Sequence, residues 1–142
     1  MAEIIKINTE DEIQACFIVL AQLRPHIKAE EFVERVLAQY QRGYQLVALL
    51  DESSVMAVAG YHISENLAWG KFLYIEDFVT NQKNRSHGFG KQLLDWLHDE
   101  ARKQGCTQLH LDSGVQRKDA HRFYQREGMT FASHHYVGQA SA

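Results

Sequence analysis

KFLYIEDFVTNQKNRSHGFGKQLLDWLHDEARKQGCTQLHLD, residues 71–112, is the stretch whose reading decides the fold. Lys71 to Thr80 is rich in aromatic and β-branched residues and reads as a long strand. From Gly88 to about Gln104 the period lengthens: Leu93, Leu94, Leu97 and Ala101 fall on one helical stripe, with Gly105 just past its end. TQLHLD, residues 107–112, is a strand again. Strand, helix and strand in this succession predict a right-handed crossover between two parallel strands.

Upstream, EIIKI (3–7) predicts a short strand, and Thr9-Glu10-Asp11-Glu12 has the form of a capping box, with Thr9 at N-cap and Glu12 at N3. Ile13, Phe17, Leu20 and Leu23 then continue one helix until Arg24-Pro25 stops it. A second helix from about Ala29 to Arg42 carries Phe32, Val33, Val36, Leu37 and Tyr40 on one face and stops at Gly43. YQLVALLD (44–51) and VMAVAGYHIS (55–64), joined through Glu52-Ser53-Ser54, predict a β-hairpin, and Glu65 to Gly70 breaks the chain before the next strand. Downstream, Arg117 to Glu127 reads as a short helix stopped by Gly128, and MTFASHHYV (129–137) as a last strand. The order β-α-α-β-β-β-α-β-α-β predicts an α/β or α+β fold: a mixed sheet of about six strands flanked by about four helices. With one proline, no Gly/Ser-rich stretch and no repeat, a single domain over residues 1–142 is expected.

Composition narrows the classes without naming an activity. The chain is 45% hydrophobic and 23% charged over 142 residues, enough for a core and unlike a disordered segment. Its 15 Lys+Arg against 18 Asp+Glu give a net charge of −3, without the basic footprint of a nucleic-acid binder. The same balance gives anionic membranes nothing to attract, and runs such as Leu46 to Leu50 are too short to span one. The acidic start MAEIIKINTEDE lacks a signal pattern, and two cysteines, Cys16 and Cys106, cannot build a disulfide framework; a cytoplasmic setting is expected. Eight histidines invite a metal, but there is no HExxH and no CxxC, so none is expected. His134 and His135 are adjacent on a predicted strand and diverge. The Asp95, Asp99 and Glu100 side of the third helix reads as a solvated face, and Cys106 as a small buried apolar residue.

VTNQKNRSHGFGK, residues 79–91, carries the chemistry. It leads from a strand into a helix and ends on Gly88 and Gly90. Such a turn offers backbone N–H groups at a helix N-terminus, where the macrodipole also favours negative charge. Arg85 and Lys91 add positive charge, which suits a phosphate or pyrophosphate; an ordinary loop with a glycine-rich helix start shows the same residues. No GxxxxGK[ST] is present, so a P-loop is excluded. A dinucleotide fingerprint lacks its third glycine, and too few residues follow Asp112 for the second half of such a domain.

Asp77-Phe78-Val79-Thr80, then Arg85-Ser86-His87-Gly88-Phe89-Gly90, then Ala120-His121-Arg122-Phe123-Tyr124-Gln125-Arg126-Glu127-Gly128-Met129 resemble the GNAT superfamily of acetyl-CoA-dependent N-acetyltransferases. Arg85, Gly88 and Gly90 satisfy the family pattern R/Q-x-x-G-x-G/A, and the downstream run matches A-x-x-F-Y-x-x-x-G-F. The resemblance implies that Arg85, Ser86, His87, Gly88, Phe89, Gly90 and Lys91 grip the coenzyme A pyrophosphate. It further implies that Phe78, Val79 and Thr80 pair with the pantetheine, and that Phe123 lies in the cofactor site. Gln82 and Ser86 stand where members often have Pro and Gly, and Arg117 where many have an Asn that bonds the cofactor.

The implied reaction is direct attack of a primary amine on the acetyl thioester. By resemblance Tyr124 is the general acid that protonates the thiolate, although Ala120, Phe123 and Tyr124 also form a core-like i, i+3, i+4 stripe. Glu76 corresponds to the base in polyamine-acetylating relatives; a carboxylate that binds a cationic substrate or pairs with a Lys fits equally. Alternation puts Glu76 and Asp77 on opposite strand faces, with Asp77 structural, and burial beside apolar neighbours is expected to raise the pKa of Glu76. The oxyanion is expected at a backbone N–H near Phe78 or Val79. The acceptor is expected to be a small or polyamine-like amine, toward which Glu30, Glu31 and Glu34 would contribute negative charge. A protein lysine or N-terminal acceptor, or a non-catalytic acetyl-CoA sensor, is the alternative. Dimerisation through Phe131 and Tyr136 is an expectation from resemblance alone.

Overall fold

The capping box at Thr9 opens the helical part of the chain: the Glu12 N–H donates to Thr9 Oγ1 at 3.1 Å and the Thr9 N–H to Glu12 Oε1 at 3.0 Å. A computed structural model describes residues 2–85 and 87–141. Its elements are β1 (Ala2–Ile7), α1 (Glu10–Ala15), α2 (Phe17–Leu23), α3 (Ala29–Tyr40), β2 (Gln45–Asp51), β3 (Ser54–Asn66), β4 (Gly70–Thr80), α4 (Phe89–Lys103), β5 (Gln108–Leu111) and α5 (Lys118–Arg126). A short 3₁₀ turn, Gln82–Asn84, lies between β4 and α4. The strands are ordered β1-β2-β3-β4-β5, antiparallel up to β4 and parallel between β4 and β5, a mixed sheet in an α+β fold. The chain divides into two compact units, Met1–Leu111 with the sheet and α1 to α4, and Asp112–Ala142 with α5.

Strand alternation builds two cores in the first unit. Leu46, Ala48, Val58 and Val79 point to one face and join Ile13, Cys16, Val19, Leu20, Phe32 and Val36 of α1 to α3. Val47, Leu49, Ala57, Ala59, Tyr61 and Leu73 point to the other, where α4 packs and buries Leu93, Leu94 and Leu97 completely. There the Tyr61 ring meets Trp96 of α4 edge-on at 6.3 Å. Each buried Val, Leu, Ile or Phe side chain here contributes about 1.5–3 kcal/mol through burial. No helix among the described residues is long and apolar enough to cross a membrane.

Four expectations change. The helix expected from residue 9 to 24 is two helices, because the Cys16 N–H returns to the Ile13 carbonyl at 3.0 Å, one residue short of the helical bond. The Cys16 side chain is wholly buried at that corner, and Phe17 restarts the helix against Phe32. The hairpin turn is two residues rather than three: Glu52 and Ser53 both take positive φ, 49° and 67°, the turn that matches strand twist. Glu100 is not on a wet face; its side chain is 6% exposed and takes the Lys6 ammonium at 2.8 Å. The sixth strand is missing among the described residues. Residues 129–141 carry the alternation but no ladder, and Phe131 and Tyr136 are 66% and 87% exposed. A strand needs a partner for its hydrogen bonds, and pattern alone does not supply one.

Candidate functional site

The β4–β5 ladder runs only from Phe72↔Gln108 to Ile75↔Leu111, whereas β4 continues to Thr80, paired there with Ala57 of β3. Glu76, Asp77, Phe78, Val79 and Thr80 therefore lie beyond the last pair with β5. The carboxyl ends of diverging parallel strands are where open α/β sheets place ligands. The exit from β4 is fixed by side chains. The Asn81 N–H donates to the Met56 carbonyl at 2.8 Å. Gln22 of α2 donates to Asn81 Oδ1 at 3.3 Å and accepts the Gln82 N–H at 2.9 Å. The Gln82 N–H thus makes a bond that proline at this position could not.

Gly88 is the N-cap of α4 and is left-handed, φ +79° and ψ 5°. Gly88 has no side chain with which to cap this helix, and among the described residues no acid stands in its first turn. A Cβ at Gly88 would meet nothing within 4 Å among the described residues, which leave open space beside the helix start. Phe89 is buried and anchors it, with the His87 ring stacked parallel at 5.8 Å. Arg85, His87 and Lys91 are exposed, and Lys91 reaches Asp95 one turn on at 3.0 Å. Ser86, expected in the same grip, lies outside the described residues. First-turn N–H groups, a helix dipole and basic side chains are the groups that favour an anion at a helix start.

Glu76 and Asp77 sit on a β-bulge. Gly60 pairs with Asp77 and Tyr61 with Ile75, which leaves Glu76 as the extra residue of β4. The bulge cancels the expected alternation: both carboxylates lie on the α2 face of the sheet. The Arg24 Nε–H, at the end of α2, donates to Asp77 Oδ1 at 2.8 Å, and its Nη2–H to the Glu76 carbonyl at 2.9 Å. The Tyr44 hydroxyl donates to Asp77 Oδ2 at 2.7 Å. Burial and then the Asp77 charge push the Tyr44 pKa far up, so it stays a donor. Asp77 is thus held from two sides, by Arg24 and by Tyr44. Glu76 is not buried among apolar groups: its side chain is 36% exposed and Oε1 lies 2.7 Å from His62 Nδ1. Exposure follows from the bulge, which turns the residue out of the ladder.

Gly60, Tyr44, Arg24 and His62 are thus the residues that sequence reasoning missed. A signal was present: an isolated glycine inside an apolar strand marks a bulge or a close approach. A Cβ on Gly60 would stand 1.7 Å from Tyr44 Oη, so only glycine lets that ring cross the strand to Asp77.

In the second unit, α5 carries Phe123 and Tyr124. The Tyr124 side chain is 8% exposed, and burial raises its pKa while the Arg117 charge pulls it down. Arg117 is the N-cap of α5, and its N–H donates to the Gly114 carbonyl at 2.9 Å. The Arg126 guanidinium lies 5.5 Å above the Phe123 ring, and Gly128, φ +89°, ends the segment. His134 and His135 do not sit on a strand: the first contacts the Phe131 ring and the second lies 3.7 Å from Asp112. Among the described residues no group of three His, Cys, Asp or Glu is placed to hold a metal.

The sequence and the fold have counterparts among known proteins. The family profile described as Acetyltransferase (GNAT) family matches residues 8–129. An uncharacterized N-acetyltransferase of Bacillus subtilis, YhdJ, is 36% identical over 131 residues, 91% of this chain and 92% of that protein. The aminoalkylphosphonate N-acetyltransferase of Salmonella typhimurium is 34% identical over 80 residues, 56% of this chain and 52% of that one. In fold, an aminoglycoside N-acetyltransferase, AAC(6')-Iy, solved in complex with CoA, matches with a TM-score of 0.89 at 13% identity, covering 100% of this chain and 96% of its own.

Proposed function

The chain belongs to the acetyltransferase (GNAT) family, and from that premise we propose that it moves the acetyl group of acetyl-CoA onto a small or polyamine-like primary amine by direct attack. The observation that carries the reading is the start of α4: among the described residues, a left-handed Gly88 with open space beside it and no acid in the first turn. Backbone N–H groups from residues 88–91, with Arg85, His87 and Lys91, bind the pyrophosphate of the donor. The β4 backbone from Phe78 to Thr80, past the last β5 pair, meets the pantetheine. Arg117, at the N-cap of α5, adds a cation for a coenzyme phosphate. An acceptor named for a small amine, as in the Salmonella relative, supports the substrate class.

The chemistry follows from what each group can hold. An alkylammonium has a pKa near 10, so a base must take one proton before the nitrogen can attack. Glu76, a carboxylate open to water, takes it, directly or through a water molecule. The new N–C bond forms at the thioester carbon, and a backbone N–H near Phe78 or Val79 meets the oxyanion. As the C–S bond breaks, the Tyr124 hydroxyl gives its proton to the sulfur. The second proton, released by the attacking nitrogen, returns to Tyr124 by way of solvent. An ammonium and acetyl-CoA thus yield the amide, free CoA thiol and one proton. Tyr124→Phe should lower kcat more than tenfold and leave acetyl-CoA affinity by isothermal titration unchanged. Unaltered kcat would remove Tyr124 from the reaction, and no heat of acetyl-CoA binding to the wild type would remove the donor itself.

A further inference from the structure

His62 lies outside every residue assigned so far, yet it reaches the Glu76 carboxylate at the bulge. The β3–β4 register puts His62 opposite Tyr74, with the two rings 5.6 Å apart. The register then slips at Gly60/Tyr61, and Glu76 turns back over the imidazole, Oε1 at 2.7 Å from Nδ1. Around it the backbone is already pinned: Arg24 holds the Glu76 carbonyl, and Arg24 and Tyr44 together hold Asp77.

We infer that His62 is a positioning residue for Glu76, its Nδ1–H fixing one carboxylate oxygen so that the other faces the acceptor amine. The inference rests on Glu76 being the base. A glutamate side chain that is part exposed on a strand samples several rotamers, and fixing one costs rotamer entropy. The His62 bond spends that cost before the substrate arrives, and reaction rates respond to such preorganisation. The imidazole is itself restrained, by the Tyr74 ring on one side and the carboxylate on the other. The bond also fixes the tautomer, since a neutral ring that donates from Nδ1 keeps Nε2 as an acceptor.

The test is a double-mutant cycle on kcat, with spermidine as acceptor at saturating acetyl-CoA, using His62→Leu, Glu76→Gln and the pair, each checked for an unchanged Tm. His62→Leu should lower kcat about tenfold with the acetyl-CoA KM unmoved, and add nothing on top of Glu76→Gln. His62→Asn, whose amide N–H stands near the place of Nδ1–H, should restore most of the rate. Equal losses from His62→Leu in both backgrounds, or no rescue by Asn, would overturn the inference. Full kcat in Glu76→Gln would overturn the base assignment and this inference with it, whereas a low value there beside an unaffected His62→Leu overturns this inference alone. A readout free of turnover completes the test: ¹⁵N spectra of the wild type should show His62 as the Nδ1–H tautomer, and Glu76→Ala should lose that preference. An Nε2–H ring in the wild type would contradict the arrangement.

Discussion

At the scale of single residues, Tyr124 and Glu76, proposed as acid and base, stand in opposite surroundings. Burial lifts the Tyr124 pKa above the ordinary phenol value, against the pull of Arg117. A raised value keeps the hydroxyl protonated through neutral pH, as a proton donor must be, and kcat should fall on the alkaline side only above about 10. Arg117→Gln removes the opposing charge, so that alkaline limb should move to higher pH in a kcat profile; movement to lower pH would show that Arg117 does not act on the phenol. The place of Tyr124 on a short helix was legible in the chain because its signal is local, a Phe-Tyr pair a fixed distance before a helix-ending glycine. The His62–Glu76 pair was not. Fourteen positions separate them, and only the slipped register brings the side chains together, which no alternation of residue types records.

At the scale of elements, two glycines make opposite predictions. Gly60→Ala would drive a Cβ into Tyr44 Oη, so Tyr44 must leave Asp77 and the bulge loses one of its two anchors. The cost is about 2 kcal/mol, as for other overpacked sites, seen as a lower Tm, and kcat should fall as Glu76 shifts. Gly88→Ala meets no atom and costs only the left-handed backbone, about 1 kcal/mol. Its Cβ would occupy the open space at the α4 N-terminus, so the acetyl-CoA Kd should rise about tenfold, a loss of about 1.4 kcal/mol, with a small change in Tm. An unchanged Kd would move the pyrophosphate elsewhere. Helix starts, stops and stripes were readable here: the capping box at Thr9, the stripe of α4 and the glycine stops at Gly43, Gly105 and Gly128 all appear where the pattern puts them. The corner at Cys16 was hidden, because Ile13, Phe17 and Leu20 keep helical spacing across it.

At the scale of the whole molecule, pH dependence follows from buried acids. Burial pushes Cys16 and Tyr40 up to about 12, and Tyr44 and Tyr61 rise as well. Their neutral forms favour the fold in full below the unfolded values, about 8.5 for a thiol and 10 for a phenol. Above these the unfolded chain releases protons that the native state retains, so stability falls as pH climbs toward 12. Denaturation midpoints measured from pH 8 to 11 should decline over that window, and a flat curve would contradict the burial of these groups. Glu100 works at the other end: burial raises its pKa, but the bonds from Lys6 and Gln104 outweigh it and the net shift is downward. That contribution is present above the ordinary carboxylate range and is lost as pH falls through it. The β2–β3 hairpin and the parallel β4–β5 pair were legible in the pattern, but the pairing of β1 with β2 and of β3 with β4 was not; residues 129–137 alternate as well and form no strand, because pairing depends on a neighbour that the segment itself does not encode. The central claim, acetyl transfer from acetyl-CoA to a small amine, is tested most directly by release of CoA thiol over a panel of polyamines, aminoglycosides, amino acids and peptides, with the acetylated product identified by mass. Amine-dependent thiol release with a small acceptor, falling at least tenfold in Tyr124→Phe, is the result predicted; acetyl-CoA that binds but yields no thiol with any amine would contradict it.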